Sequence, residues 1–197
     1  MADSSAVDAS DAVQWFLIIG ALAAGVAGLV MLVGRFVPAL GDPIRAAIGG
    51  QELVLAAMVA VGLTLGSLYL SEVLGYLPCR FCWFQRIAGY PIAVILAIAL
   101  VRRDRTVWPY VLGLAVPGAL LSLYHIAIQE GLVSEGTSCD PTNPCSTKWG
   151  IDDKLGLTIP MMALCCFVFL IAIALLAHSG RSIDADDRTS VATTEEP

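Results

Sequence analysis

The sequence predicts an all-α fold, a polytopic bundle of membrane-spanning helices. Three observations carry this. Of 197 residues, 57% are hydrophobic and only 14% charged, too few charges for a soluble domain of this size. Crossing the hydrocarbon core takes about 20 apolar residues per helix, and five stretches provide them: 15–37, 53–76, 84–101, 108–128 and 157–177. The connections are short, so no large soluble domain fits beside one compact bundle.

Residues 1–14 read as an acidic tail, with Asp3, Asp8 and Asp11. The first span, 15–37, lacks the basic leader and short apolar core of a signal peptide, so it is read as a retained helix. Small residues recur four apart in it, at Gly20/Ala24, Ala21/Gly25 and Ala24/Gly28. That spacing permits close helix packing in lipid, and a helix docked on the bundle is expected. The second span ends at Tyr76. The third is the shortest, and the motif Pro78-Cys79-Arg80-Phe81-Cys82-Trp83-Phe84-Gln85-Arg86 stands at its outer end. The fourth span leads into the longest polar loop, 129–156. The fifth ends near His178, and 178–197 reads as a disordered acidic tail. The net charge of −6 gathers in the tails and the long loop, where it keeps them solvated. No nucleic-acid partner is expected.

Basic residues in short loops set the orientation. With the 35–52 loop, the 102–107 loop and the C-terminus inside, seven of the eleven basic residues lie inside and four outside: Arg80, Arg86, Lys148 and Lys154. The N-terminus and both cysteine pairs then face outward. The charge count did not use the cysteines, yet it puts them where disulfides persist.

Cys79 and Cys82 form a Cys-x-x-Cys pair at a helix start, with Pro78 suited to the first turn. Unpaired N–H groups, the helix dipole, Arg80 and Arg86 all favour thiolate over thiol. Arg86 is four residues past Cys82, on the same helix face. It is placed to stabilise a Cys82 thiolate, to polarise a carbonyl oxygen of a bound ring, or both. The alternatives are a zinc site shared with Cys139 and Cys145, a structural disulfide, and an arginine that merely snorkels to the interface. Haem attachment needs His where Trp83 stands.

Cys139 and Cys145 have five residues between them, two of them proline. They can close a tight, exposed ring that exchanges readily, or simply staple a mobile loop. Cys165 and Cys166 fall mid-span and are expected to pack as small apolar residues. His125, late in the fourth span, lies level with the motif and shares a face with Gln129. An ionisable residue inside a span is a functional candidate, against a plain helix–helix hydrogen bond. The aromatic residues at that depth fit an interfacial belt as well as a pocket.

Together these segments resemble the DsbB family of disulfide bond formation proteins, in particular its BdbC-like variant. The resemblance rests on Cys79 to Ile87, Tyr90-Pro91, Ser122 to His125 with Gln129, Pro144-Cys145-Ser146 and Gly156 to Pro160, in that order along 53–177. It implies a four-helix core there, with 15–37 as one extra N-terminal transmembrane helix. It implies a quinone-dependent thiol–disulfide oxidoreductase of the cell membrane that oxidises a thioredoxin-fold, DsbA-like thiol oxidase. The quinone would be ubiquinone or menaquinone. On this resemblance Cys82 lies against the quinone ring, with Arg86, His125 and Gln129 binding it. Cys79 exchanges with the second pair, Cys139 forms the mixed disulfide with the partner, and Cys145 resolves it. No metal is expected. The vitamin K epoxide reductase family has its Cys-x-x-Cys after the loop pair; here it comes first. The alternative from another class is a non-catalytic membrane scaffold with structural disulfides or a zinc site.

Overall fold

A computed structural model describes residues 4–137, 139–148, 150–152 and 157–194. Its helices are α1 (Ser4–Phe36), α2 (Pro38–Ile48), α3 (Glu52–Leu68), α4 (Arg80–Arg102), α5 (Trp108–Gln129) and α6 (Ile159–Thr194). A π-helical turn, Tyr69–Val73, continues α3. Five helices are long and apolar enough to cross a membrane, over Ser10–Gly34, Glu52–Val73, Arg80–Arg102, Trp108–Gln129 and Ile159–His178. They match the five expected stretches one for one. In the long loop, β1 (Gly150–Asp152) and β2 (Leu157–Thr158) pair antiparallel, Gly150 opposite Thr158.

Elsewhere the helices differ from expectation. The 35–52 connection contains α2, which Pro38 opens from an extended Val37; proline in the first turn costs no hydrogen bond. α1 already begins at Ser4, so most of the expected 1–14 tail is helical. α6 continues to Thr194, past the point where a disordered tail is expected from 178. Between Gly180 and Pro197 no Gly or Pro interrupts it, and a helix already nucleated extends cheaply. Lys154 and Gly156, used in the charge count and the resemblance, lie outside the described residues.

The bundle is built on small residues. Ala56, Ala60, Ala99, Ala115, Ala172 and Ala174 are buried where helices meet, between larger buried groups such as Ile92, Leu96, Leu170 and Phe167. Lipid tails are as apolar as leucine, so helices associate through van der Waals packing, which needs close approach. α1 packs along α6 through the small-residue face read from the sequence. A Cβ at Gly28 would sit 2.8 Å from the Phe169 backbone. Gly118 on α5 likewise makes room for the Phe167 ring. Phe36, Val101 and Ile87 point outward, as lipid-facing residues do.

At one end of the bundle, Arg105 donates to the Gly50 carbonyl at 3.2 Å and lies 3.8 Å from the Glu52 carboxylate. At the other end, the finish of α3, the start of α4, the finish of α5 and the long loop converge. Both cysteine pairs are there.

Candidate functional site

Cys79 is the N-cap of α4, with extended backbone, and its carbonyl accepts the first helical bond from Trp83 N–H at 3.1 Å. Pro78 therefore precedes the cap, two positions before the first helical residue, where it is expected. Cys82 lies in that first turn. Both are free thiols, with their sulfurs 3.2 Å apart and hydrogen-bonded.

The two sulfurs face different surroundings. Cys79 is buried with Phe81, Ile128, Cys139 and Cys145. Cys82 lines a cavity of about 290 Å³ formed between α1, α3, α4 and α6. Gln85, Arg86, Tyr90 and, from α6, Cys166 line it too, and the rest of its wall is almost wholly apolar. Its volume lies at the low end for pockets that take a small organic ligand.

Arg86 is buried on the cavity wall. Its Nε donates to Ser67 Oγ and its Nη2 to the Ser67 carbonyl, both at 3.0 Å. The guanidinium stands 5.1 Å from the Trp83 ring centroid and 5.9 Å from that of Tyr90. Tyr90 Oη also donates to Ser67 Oγ at 3.3 Å. Ser67 lies two residues before the π-helical segment, a local widening common at functional sites. Among the described residues, no carboxylate lies within ion-pair distance of Arg86. A buried, immobilised cation without a counter-ion is costly, and functional when it occurs in a span.

His125 and Gln129 are placed elsewhere. Neither lines the cavity. His125 Nε2 is 3.5 Å from Cys79 Sγ and 3.1 Å from the Cys145 carbonyl oxygen. A carbonyl only accepts, so Nε2 carries the proton. That N–H lies between the Cys79 sulfur and the Cys145 carbonyl, while Nδ1 is buried with no hydrogen-bond partner among the described residues. Phe81 stacks against the ring at 5.7 Å. Gln129 Nε2 donates to the Thr147 carbonyl at 3.1 Å. These two side chains hold the loop against the motif rather than facing a cofactor, because the face they share on α5 is the one the loop covers. The hydrogen bond with Cys82, and then that with His125, pull the Cys79 thiol well below its ordinary value, against the opposing effect of burial. Cys79 is thus the natural thiolate of the pair.

Cys139 and Cys145 form a disulfide. An exposed, mobile ring is expected from the sequence; the structure instead buries both residues. The loop folds back onto the start of α4. Asn143 Nδ2 donates to the Pro78 carbonyl at 3.3 Å. Glu135 accepts from the Cys145 N–H at 2.8 Å and the Ser146 N–H at 3.1 Å. Lys148 pairs with Glu130 at 2.8 Å. Asp140 caps its own turn by accepting from Thr142 N–H and Oγ1.

The site thus brings Cys79, Cys82, Cys139, Cys145 and His125 into one cluster, with Arg86 on its far side at the cavity. Sequence reasoning missed Ser67, Glu135 and Asn143, which are ordinary polar residues until folding places them. It also passed over the link from Gln85 Nε2 to Ser122 Oγ, 3.1 Å, which ties α4 to α5; a glutamine inside an apolar span was the available signal. The zinc alternative needs four thiolates, and Cys139 and Cys145 are bonded to each other. Cys165 lies against Gly25 and Cys166 packs among apolar residues, as expected mid-span.

Residues 51–177 match the family described as "Disulfide bond formation protein DsbB". The chain is 41% identical over 128 residues to a "Probable disulfide formation protein" of Metapseudomonas resinovorans, covering 63% of this chain and 85% of that one. It is 38% identical over 126 residues to "Disulfide bond formation protein C" of Bacillus subtilis (strain 168), covering 64% and 91%. A "Probable disulfide formation protein" of Deinococcus radiodurans is 39% identical over 130 residues, covering 62% and 85%. No solved structure matches the chain.

Proposed function

The chain belongs to the DsbB family of disulfide bond formation proteins, and on that premise we propose that it carries electron pairs from an extracytoplasmic thioredoxin-fold, DsbA-like oxidase to a membrane quinone, ubiquinone or menaquinone. Thiol oxidation is the coarse role its family supplies. The observation that carries the finer reading is the cavity where Cys82 meets a buried Arg86 with no carboxylate beside it among the described residues.

The cavity suits such a group. Its wall is apolar, and the guanidinium is oriented by Ser67 before anything binds. A bound quinone supplies an acceptor for two electrons and two protons. The protein's part is to hold the ring against Cys82, to exclude water, and to aim positive charge at the oxygen that becomes electron-rich.

Electrons reach Cys82 by exchange. A partner thiolate attacks the Cys139–Cys145 bond, and Cys139 carries the mixed disulfide. The second partner thiol displaces Cys139, so the partner gains a disulfide and the loop two thiols. A loop thiolate attacks Cys79 of an oxidised Cys79–Cys82 pair, and Cys82 leaves as thiolate. The other loop thiol then displaces Cys79 and restores the loop disulfide. His125 Nε2–H steadies Cys79 as it leaves. Cys79 and Cys82 would then re-form their disulfide, giving up two electrons and the Cys82 proton, with a bound quinone as the acceptor and its second proton drawn from elsewhere. Both pairs, the N-terminus and the 129–156 loop lie on the extracytoplasmic side in this reading, as the basic residues favour.

The test is quinone reduction by the purified protein, driven by a reduced thioredoxin-fold partner and followed by absorbance. One quinone is reduced per partner disulfide formed. Cysteines that cycle with the partner while no quinone is consumed would sink the quinone assignment.

A further inference from the structure

Helix α1 lies outside the residues that match the family, 51–177, yet it forms one side of the cavity beside Cys82 and Arg86. Phe16, Leu17, Gly20, Ala21 and Ala24 all line it. α1 reaches this position by docking on α6. Gly25 and Gly28 bring the two backbones together, and the residues next to them on α1 turn toward α3. Across the cavity stands Gly62 of α3, also on its lining. Gly20 and Gly62 share a property: a Cβ added at either would meet nothing within 4 Å. Most helix glycines at this bundle's seams make room for a neighbour. These two leave open space instead, inside an apolar cavity between two lipid-facing helices.

We propose that α1 is part of the quinone site, and that Gly20 on α1 and Gly62 on α3 keep open the passage through which the isoprenoid tail leaves the ring pocket. This rests on the quinone reading above and assigns that site a wall from outside the family core. The physical reason is shape. The ring needs Cys82 and Arg86 at the pocket's polar end, and its tail must reach the lipid through an opening with no polar lining. Side chains at both positions would close the gap that two bare backbones leave. Phe16, three-quarters exposed, stands at the mouth as a flat apolar surface for the tail.

Two measurements on the full-length protein test this. In the first, an azido-ubiquinone photoprobe is bound to purified protein and labelled peptides are mapped, with a short-chain ubiquinone as competitor. Labelling of the 16–24 segment as well as α3 or α4, abolished by the competitor, is the expected result. In the second, equilibrium binding of a long-tailed ubiquinone in detergent is measured for wild type, Gly20→Leu and Gly113→Leu. Gly113 is an exposed glycine of α5 with equally open surroundings, and it does not line the cavity. Gly20→Leu weakens binding about tenfold or more, the scale on which a hydrophobic pocket rejects added bulk, while Gly113→Leu matches wild type. Competed label on α3 or α4 but never on α1, with Gly20→Leu binding normally, overturns the role of α1 and leaves the quinone reading intact. No competed label anywhere overturns both.

Discussion

Replacing Arg86 with methionine isolates the charge from the shape. Methionine is nearly as long and unbranched, so the wall of the cavity stays filled. The structural cost is small. Ser67 Oγ keeps the Tyr90 hydroxyl as a donor, and the Ser67 carbonyl keeps the Ser71 hydroxyl at 3.3 Å. Neither group is orphaned, so roughly 1 kcal/mol of stability is at stake, partly offset because a cation without a counter-ion is no longer buried. The catalytic cost is larger. Removing one preoriented electrostatic donor from a water-excluded site typically costs about 3 kcal/mol, or on the order of a hundredfold in kcat. Arg86→Lys keeps the charge but loses the two-point grip on Ser67, and its rate falls between the two. The assay is stopped-flow loss of quinone absorbance, paired with thiol trapping of the loop exchange. In Arg86→Met the quinone step slows about a hundredfold, while electrons still pass from the partner to the cysteines at the normal rate. Equal quinone kinetics in variant and wild type would refute the reasoning and leave Arg86 as an interfacial anchor. So would an equal slowing of both half-reactions.

Four further outcomes follow from the geometry. His125→Ala removes the N–H donor to Cys79, so in single-turnover thiol trapping the exchange between the two pairs slows about tenfold, with quinone affinity unchanged. Both proteins speed up alike as pH rises through the ordinary thiol range near about 8.5, because the attacking loop thiol must be a thiolate in each. Hydrogen bonds from Ser146 and then Cys145 hold the Glu135 carboxyl below its usual range, so the clip on the loop is complete above the ordinary carboxylate pKa and lost as pH falls through the lowered value. Reduction of the loop disulfide by a phosphine is therefore faster in Glu135→Gln than in wild type at neutral pH, and the two rates converge only once pH falls below that lowered carboxyl value. Cys139→Ser or Cys145→Ser stops oxidation of the partner but leaves Cys79–Cys82 reoxidisable by quinone, and Cys82→Ser does the reverse; thiol trapping of each pair decides. Gly118→Leu drives a side chain into the Phe167 ring and lowers the thermal midpoint in detergent, a loss of about 1–3 kcal/mol or more.

The membrane spans were legible because hydrocarbon leaves few solutions: apolar length alone marks a helix there. That Cys79 and Cys82 stand together at a helix start was legible from their spacing and from Pro78 before them. The docking face of α1 was legible for the same kind of reason, since small residues four apart must lie on one side. What could not be read was which way each polar side chain turns. His125 and Gln129 share a face, and the sequence does not say whether that face meets a cavity or a folded loop. That is decided by a 129–156 segment with no periodicity of its own, held by contacts such as Asn143 to Pro78 and Glu135 to Cys145. The same contacts bury a disulfide that composition alone makes exposed. Ser67 carries no signal at all; its importance comes from standing where α3 widens opposite Arg86.

Burial of the loop disulfide has a consequence for the order of events. A folded partner cannot attack a bond packed between Phe81, Ile128 and Cys79. A relay confined to this one arrangement would pass electrons inward and never collect them. Besides the His125 and Gln129 bonds to loop carbonyls, the contacts that hold the loop are of the kind that open cheaply: one amide to a carbonyl, one partly buried carboxylate clip and one surface ion pair. By contrast, the Arg86 and Gln85 contacts that define the cavity side lie within and between membrane helices. The protein therefore divides its rigidity. On the proposed reading, the end that would hold a ring in register is fixed, while the end that would meet two different sulfur partners in turn is more lightly fastened. His125 stands at the boundary: from α5 its Nε2–H lies near Cys79 Sγ, and it reaches the Cys145 carbonyl when the loop is down.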